Sequence, residues 1–140
     1  MAKGANKRKV GIVTFNNEVT VIGDGSKPVQ VITGDKLNDF DYLENNGKAL
    51  AASHMEKCIG ETAKILSDKI MTIEETGPTA MGPAVLTSIG LACEGKAGST
   101  VVVCTDGLAN IGLGAFDEAT TDQELAKVEE FYERVGQIAQ

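Results

Sequence analysis

Apolar, β-branched runs alternate with helical stretches along the chain, and that order predicts an α/β sandwich with a mostly parallel sheet and an antiparallel hairpin at one edge. Two runs carry the prediction, KVGIVTF at 9–15 and STVVVCT at 99–105. The second is apolar on both faces, as in the centre of a parallel sheet. The third observation is the stretch from Ala84 to Cys93, apolar nearly all round, which reads as a deeply packed helix.

In chain order, residues 9–15 form a short buried strand that Asn16 and Asn17 break. Residues 18–23 resume with Val19 and Val21 on one side and Glu18, Thr20 and Ile22 on the other. Asp24-Gly25-Ser26-Lys27-Pro28 is turn chemistry, and 29–33 return as the second arm of a hairpin. Pro28 at its start lacks an N–H and marks that arm as an edge. Residues 34–47 are polar and turn-rich, with Leu37, Phe40 and Leu43 as anchors on the body.

One long helix is predicted over 48–70, because Met55, Ile59, Ala63, Leu66 and Ile70 recur at helical spacing. His54 lies within it and reads as structural or surface, since the sequence offers it no metal or nucleophile partner. Residues 71–75 are ambiguous, and 76–83 make a loop whose Pro83 suits the first turn of a helix. Gly95 stops that helix. A last helix starts after Thr121, which can form a capping box with Glu124, and its buried stripe is Leu125, Val128, Phe131, Tyr132 and Val135.

The 140 residues, 42% hydrophobic and 24% charged, are expected to form one globular domain with its own core. Thirteen basic against twenty acidic side chains give a net charge of −7, which argues against nucleic acid as a partner. No apolar run approaches the roughly 20 residues of a membrane-spanning helix, and the N-terminus carries no cleavage pattern. A cytoplasmic location without membrane insertion is therefore expected. Cys58, Cys93 and Cys104 form no C-x-x-C pair and have one histidine to join them, which is too few for zinc. Each lies in an apolar stretch and reads as a small buried hydrophobe.

In parallel α/β sheets ligands sit on loops beyond the carboxyl ends of the strands. Two loops qualify, 76–82 and 106–114. Asp106 follows the 99–105 run directly, and Thr79 offers a hydroxyl just before a helix. Carboxylate, hydroxyl and water are the ligand set of Mg²⁺ or Mn²⁺. Spacing alone supports equally that Asp106 caps a turn and Thr79 caps a helix.

The segments VGIVTFNNEVTVIGDG, TGPTAMGPAV and VVVCTDGLANIG resemble consecutive signatures of the von Willebrand factor A family over most of residues 9–114. The G-P-T-A-x-G-P segment is also similar to intracellular members such as the trunk domains of vesicle-coat proteins. The resemblance implies a Rossmann-like fold with a metal-ion-dependent adhesion site on the sheet's upper edge. Thr79 then matches the second-loop threonine and Asp106 the third-loop aspartate, with an acidic group of a protein partner completing the coordination. The family's first loop, D-x-S-x-S, is absent, and Asp24 to Pro28 is no substitute. The chain thus reads as the central part of such a domain, without its first and last strands, and its metal site as incomplete. Mg²⁺ wants about six oxygens, so two side chains would bind it weakly or not at all.

These readings make the chain a non-enzymatic protein-binding module. A structural or assembly fragment that self-associates through exposed sheet edges is the alternative. A hydrolase-like enzyme using Asp106 as nucleophile or base is a further one, although no motif places an activating group beside it. A nucleotide loop at 107–114, GLANIGLG, lacks both the G-x-G-x-x-G spacing and a phosphate-binding lysine.

Overall fold

The computed structural model describes residues 7–74, 77–105, 107–117 and 119–140. Strand β1 (Ile12–Phe15) pairs antiparallel with β2 (Val19–Gly23), Val13 opposite Val21 and Phe15 opposite Val19. Strand β3 (Gln30–Ile32) pairs antiparallel with the other edge of β2, Ile32 opposite Val19. Side chains alternate along each strand. Val19, Val21 and Ile32 therefore share one face and are fully buried, and Val13 and Phe15 pack against the same core.

A 3-10 helix, Gly34–Asn38, sends Leu37 into the core and leads to α1 (Phe40–His54). The Asp39 carboxylate accepts from the Tyr42 N–H at 3.0 Å and caps α1, satisfying one of the donors every helix start leaves open. Helix α2 (Ile59–Ile70) follows, then α3 (Met81–Cys93) and α4 (Asp122–Ile138). Helix α3 is the centre of the molecule, with Ala84, Leu86, Thr87, Ile89, Gly90 and Leu91 all buried. It lies against α1 where Gly47 meets Gly90, two residues without side chains that let the backbones approach. Helix α4 adds Val128, Phe131 and Val135, and the Thr121–Glu124 capping box holds its start.

The mostly parallel sandwich is not what the chain forms. Among the described residues the sheet has three strands, in the order β1-β2-β3, and every pairing is antiparallel. Residues 101–105 are not a strand at all. β-branched composition favours an extended backbone, but a strand needs a neighbour's N–H and C=O groups, and no described strand lies beside this segment. Val102 is 80% exposed there.

The single helix expected over 48–70 is two helices, and the first begins at Phe40 rather than beyond 47. The chain leaves α1 at Met55 (φ −130°, ψ 35°) because the groups a continuous helix would use are engaged elsewhere. The His54 carbonyl accepts from the Asp24 N–H at 2.6 Å, and the Lys57 N–H donates to the Asp24 carboxylate at 2.8 Å. The expected apolar stripe dissolves with the helix: Leu66 is buried, but Ile70 is 52% exposed.

The cysteines differ from expectation too. Cys58 is half-buried, and Cys93 and Cys104 are exposed, because one ends α3 and the other lies in the unpaired 101–105 segment. No described helix is long and apolar enough to cross a membrane.

Candidate functional site

Three loops meet at the start of α3. The first follows β1, where the Asn16 side chain accepts from the Glu18 N–H at 3.1 Å and closes a turn. The Asn16 carbonyl then accepts from the Ala80 N–H at 2.8 Å. The second loop passes through Thr79, whose carbonyl accepts from the N–H groups of Asn110 (3.0 Å) and Ile111 (3.4 Å) of the third. The Thr79 N–H in turn donates to the Asn110 side-chain carbonyl. Asn110 is thus a two-way clasp between the second loop and the third.

Packing fixes the rest of the third loop. The Leu113 N–H donates to the Leu37 carbonyl at 3.0 Å and the Phe116 N–H to the Ala109 carbonyl at 2.7 Å. Gly112 has φ 76°, and a Cβ there would stand 2.9 Å from the Leu37 carbonyl oxygen, so glycine is needed on both counts. The Tyr132 hydroxyl donates to the Gly114 carbonyl at 3.1 Å, and burial pushes its phenol above the usual tyrosine range.

Of the two predicted metal ligands, Thr79 is half-buried in this cluster and Asp106 lies outside the described residues. Thr79 enters the cluster through its backbone, not its hydroxyl. Among the described residues no three His, Cys, Asp or Glu side chains converge as metal ligands would. The 107–114 segment is no phosphate cradle either. Such a cradle presents unspent backbone N–H groups to the anion, and here those of Asn110, Ile111 and Leu113 already meet protein carbonyls.

A second stretch has the spacing of a phosphate loop. Gly90-Leu91-Ala92-Cys93-Glu94-Gly95-Lys96 matches G-x-x-x-x-G-K, with Ala97 where serine or threonine belongs. Its context is reversed. Gly90 is buried inside α3 against α1, and Gly95 follows the helix's C-terminal end. That end presents carbonyls and partial negative charge, which repel a phosphate.

Two titratable side chains knit the turn between β2 and β3 to the end of α1. Asp24 is fully buried, and its carboxylate accepts from the Ser26 hydroxyl (2.6 Å), the Ser26 N–H (2.9 Å) and the Lys57 N–H. Burial pushes its carboxyl up, but those hydrogen bonds and one from the Glu56 backbone together outweigh it and hold it below the usual range. His54 Nε2 donates to the Pro28 carbonyl at 2.9 Å, which leaves Nδ1 to pair with the Ser53 hydroxyl at 2.7 Å. Both ring nitrogens are occupied, so this histidine is a structural bridge. Sequence reasoning missed the clasp at Asn110 and the knot at Asp24. The turn composition at 24–28 hinted at the second, while no spacing rule marks the first.

No protein-family model matches the chain. No solved structure matches it. Among curated proteins it is similar to the circularly permutated Ras protein 1 of Dictyostelium discoideum, 41% identical over 138 residues. The match takes in 96% of this chain and 15% of that protein, so the chain spans a small part of its relative's length.

This finding corrects the von Willebrand factor A reading, since the relative found carries a Ras name. The adhesion-type module with its metal-ion-dependent site falls with that reading, as does the expectation that no enzyme is involved. The resemblance rested on short glycine-bounded turns, T-D-G and G-x-T, and turns of that kind recur wherever a chain must reverse beside a helix. The sheet expected to present them is not formed by the described residues.

Proposed function

We propose that this chain works in a Ras-like, GTPase-related protein, whose governing activity is the binding and hydrolysis of GTP. The observation that supports it is the 41% identity to the permuted Ras protein, sustained over 96% of this chain. Ras-type GTPases position the β- and γ-phosphates with a P-loop lysine and backbone N–H groups, and hold Mg²⁺ beside them. In this proposal the chain is one domain and its compartment is the cytoplasm. Its contribution is the clasped loop cluster at the start of α3, because the one stretch spaced like a phosphate loop lies at a helix C-terminus.

The test is guanine-nucleotide binding and phosphate release, measured with Mg²⁺ on the full-length gene product and on this chain. Guanine-selective binding with turnover by the full-length product, impaired by Asn110→Ala, is the expected result. Equal affinity for ATP and GTP, or no turnover from a folded full-length product, would sink the proposal.

A further inference from the structure

A helix running through residues 55–58 would spend the N–H groups of Glu56, Lys57, Cys58 and Ile59 on the carbonyls of Ala52, Ser53, His54 and Met55. Other parts of the chain take most of these groups instead. The Asp24 carboxylate accepts from the Lys57 N–H at 2.8 Å and from the Glu56 N–H, and the Asp24 N–H donates to the His54 carbonyl at 2.6 Å. The Arg8 carbonyl accepts from the Ile59 N–H at 2.7 Å. The Cys58 N–H and the Ala52 and Ser53 carbonyls are left without a backbone hydrogen bond to any described residue. We propose that the α1–α2 junction is a two-position device, bent while Asp24 holds it and zipped into one helix from Phe40 to Ile70 when that carboxylate is withdrawn. The inference goes beyond the GTPase reading and does not depend on it.

The sequence of the junction favours the straight form. No glycine or proline falls between 48 and 59, and Met55, Glu56 and Lys57 are good helix formers. Met55, Ile59, Ala63, Leu66 and Ile70 keep helical spacing across the bend. Both flanks are already helical, so joining them is propagation and avoids the cost of a nucleus. The bent form prevails because a charged acceptor bonds an N–H more strongly than a neutral carbonyl does. Asp24 is fully buried, and its two oxygens divide the work, Oδ1 to Ser26 and Oδ2 to Lys57.

Packing decides which helix moves. Helix α1 is seated on α3 where Gly47 meets Gly90, and it buries Leu43 and His54. Helix α2 buries only Thr62 and Leu66, and it meets the 24–28 turn where Gly25 lies beside Ile65 and Leu66. Withdrawal of Asp24 therefore lifts α2 off that turn and leaves α1 in place. The product is a rod of roughly 46 Å at a rise of about 1.5 Å per residue. It uncovers Leu66 on one side and the turn on the other. A ligand that engages the 24–28 turn and draws the carboxylate from Lys57 operates the device.

The test is hydrogen exchange on the full chain, read at the Cys58 amide, which bonds to the His54 carbonyl only in the straight form. In Asp24→Ala that amide is expected to slow by about tenfold or more, with the ellipticity at 222 nm growing more negative. Asp24→Asn keeps one acceptor oxygen, which Ser26 retains, and slows the Cys58 amide likewise. Its matching size makes it the deciding variant if alanine unfolds the chain. Ser26→Ala spares the Oδ2 bond to Lys57 and leaves the Cys58 amide at the parent's rate. Cys58→Pro suits the N-cap backbone, where φ is −81°, and bars the straight helix by its clash with the preceding turn. Added to Asp24→Asn, it speeds exchange at the Lys57 amide by about tenfold or more.

Unslowed Cys58 exchange in a folded Asp24→Asn chain would overturn the proposal, because the knot would then be a staple with no second position. Slowing of the same size in Ser26→Ala would overturn it too, since the grip on Lys57 would not be the cause. Equal Lys57 exchange with and without the proline is equally decisive against a continuous helix.

Discussion

Replacing Gly47 with alanine tests the close approach of α1 and α3. A Cβ at that position would stand 2.4 Å from the Thr87 carbonyl oxygen and 3.1 Å from the Gly90 Cα. Relief requires the helices to part by roughly 1 Å, because both obstacles are backbone atoms, and a gap of that size forfeits a quarter to a half of each dispersion contact it opens. The buried side chains Leu43, Leu86 and Leu91 lie on those same two helices. Overpacking of this kind costs about 3 kcal/mol at its upper end, and the better helix propensity of alanine returns about 1 kcal/mol. The net loss of about 2 kcal/mol lowers the melting temperature by about 7 °C for a chain of this size. The assay is a thermal melt followed by circular dichroism, with Gly136→Ala as the matched reference. Gly136 lies within α4 with no atom within 4 Å of an added Cβ, so that variant gains up to about 1 kcal/mol. A Gly47→Ala variant melting at or above the parent would refute the close approach of the two backbones.

Asp24→Ala leaves the Ser26 and Lys57 N–H groups without their acceptor and is expected to cost about 3 kcal/mol, read from chemical denaturation. The Asp24 carboxyl is held below its unfolded value, so its stabilising contribution is full above the unfolded value of about 3.9 and is lost as pH falls through the folded one. Acid titration of stability should therefore be steeper in the parent than in Asp24→Asn, and equal slopes would deny that linkage. Asn110→Ala removes the acceptor of the Thr79 N–H, and faster amide exchange at Thr79 and across 107–116 is the expected sign. Thr121→Ala removes the N-cap acceptor of α4 and should lower stability by about 1 kcal/mol, measured by denaturant titration.

What could be read from the residues was what local chemistry decides. The turn at 24–28, the stop at Gly95 and the cap at Thr121 each depend on a few adjacent residues, and the structure places a turn or helix end at each. The break at Met55 could not be read that way. It depends on a carboxylate about thirty positions earlier in the sequence, and helical periodicity carries no record of that partner. Residues 99–105 failed for a related reason: composition reports what a segment prefers, and strand formation depends on what lies beside it. At the loop cluster, the Thr79 backbone closes onto Asn110 and Ile111, a role that side-chain identity cannot signal.

The hydrogen-bonded knot between Asp24 and the 54–57 segment divides the helices into two tiers of cooperativity. Only Thr62 and Leu66 of α2 are buried, against eight residues of α3. An excursion that releases α2 sacrifices little apolar cover, while one that releases α3 dismantles the whole interior. Limited proteolysis should therefore cut first within 59–70 and leave a trimmed but still cooperative body behind. Because the Asp24 knot sits upstream of that helix, the cleaved chain would keep its hairpin clamped to α1, and nicking would register as loss of a flank rather than collapse.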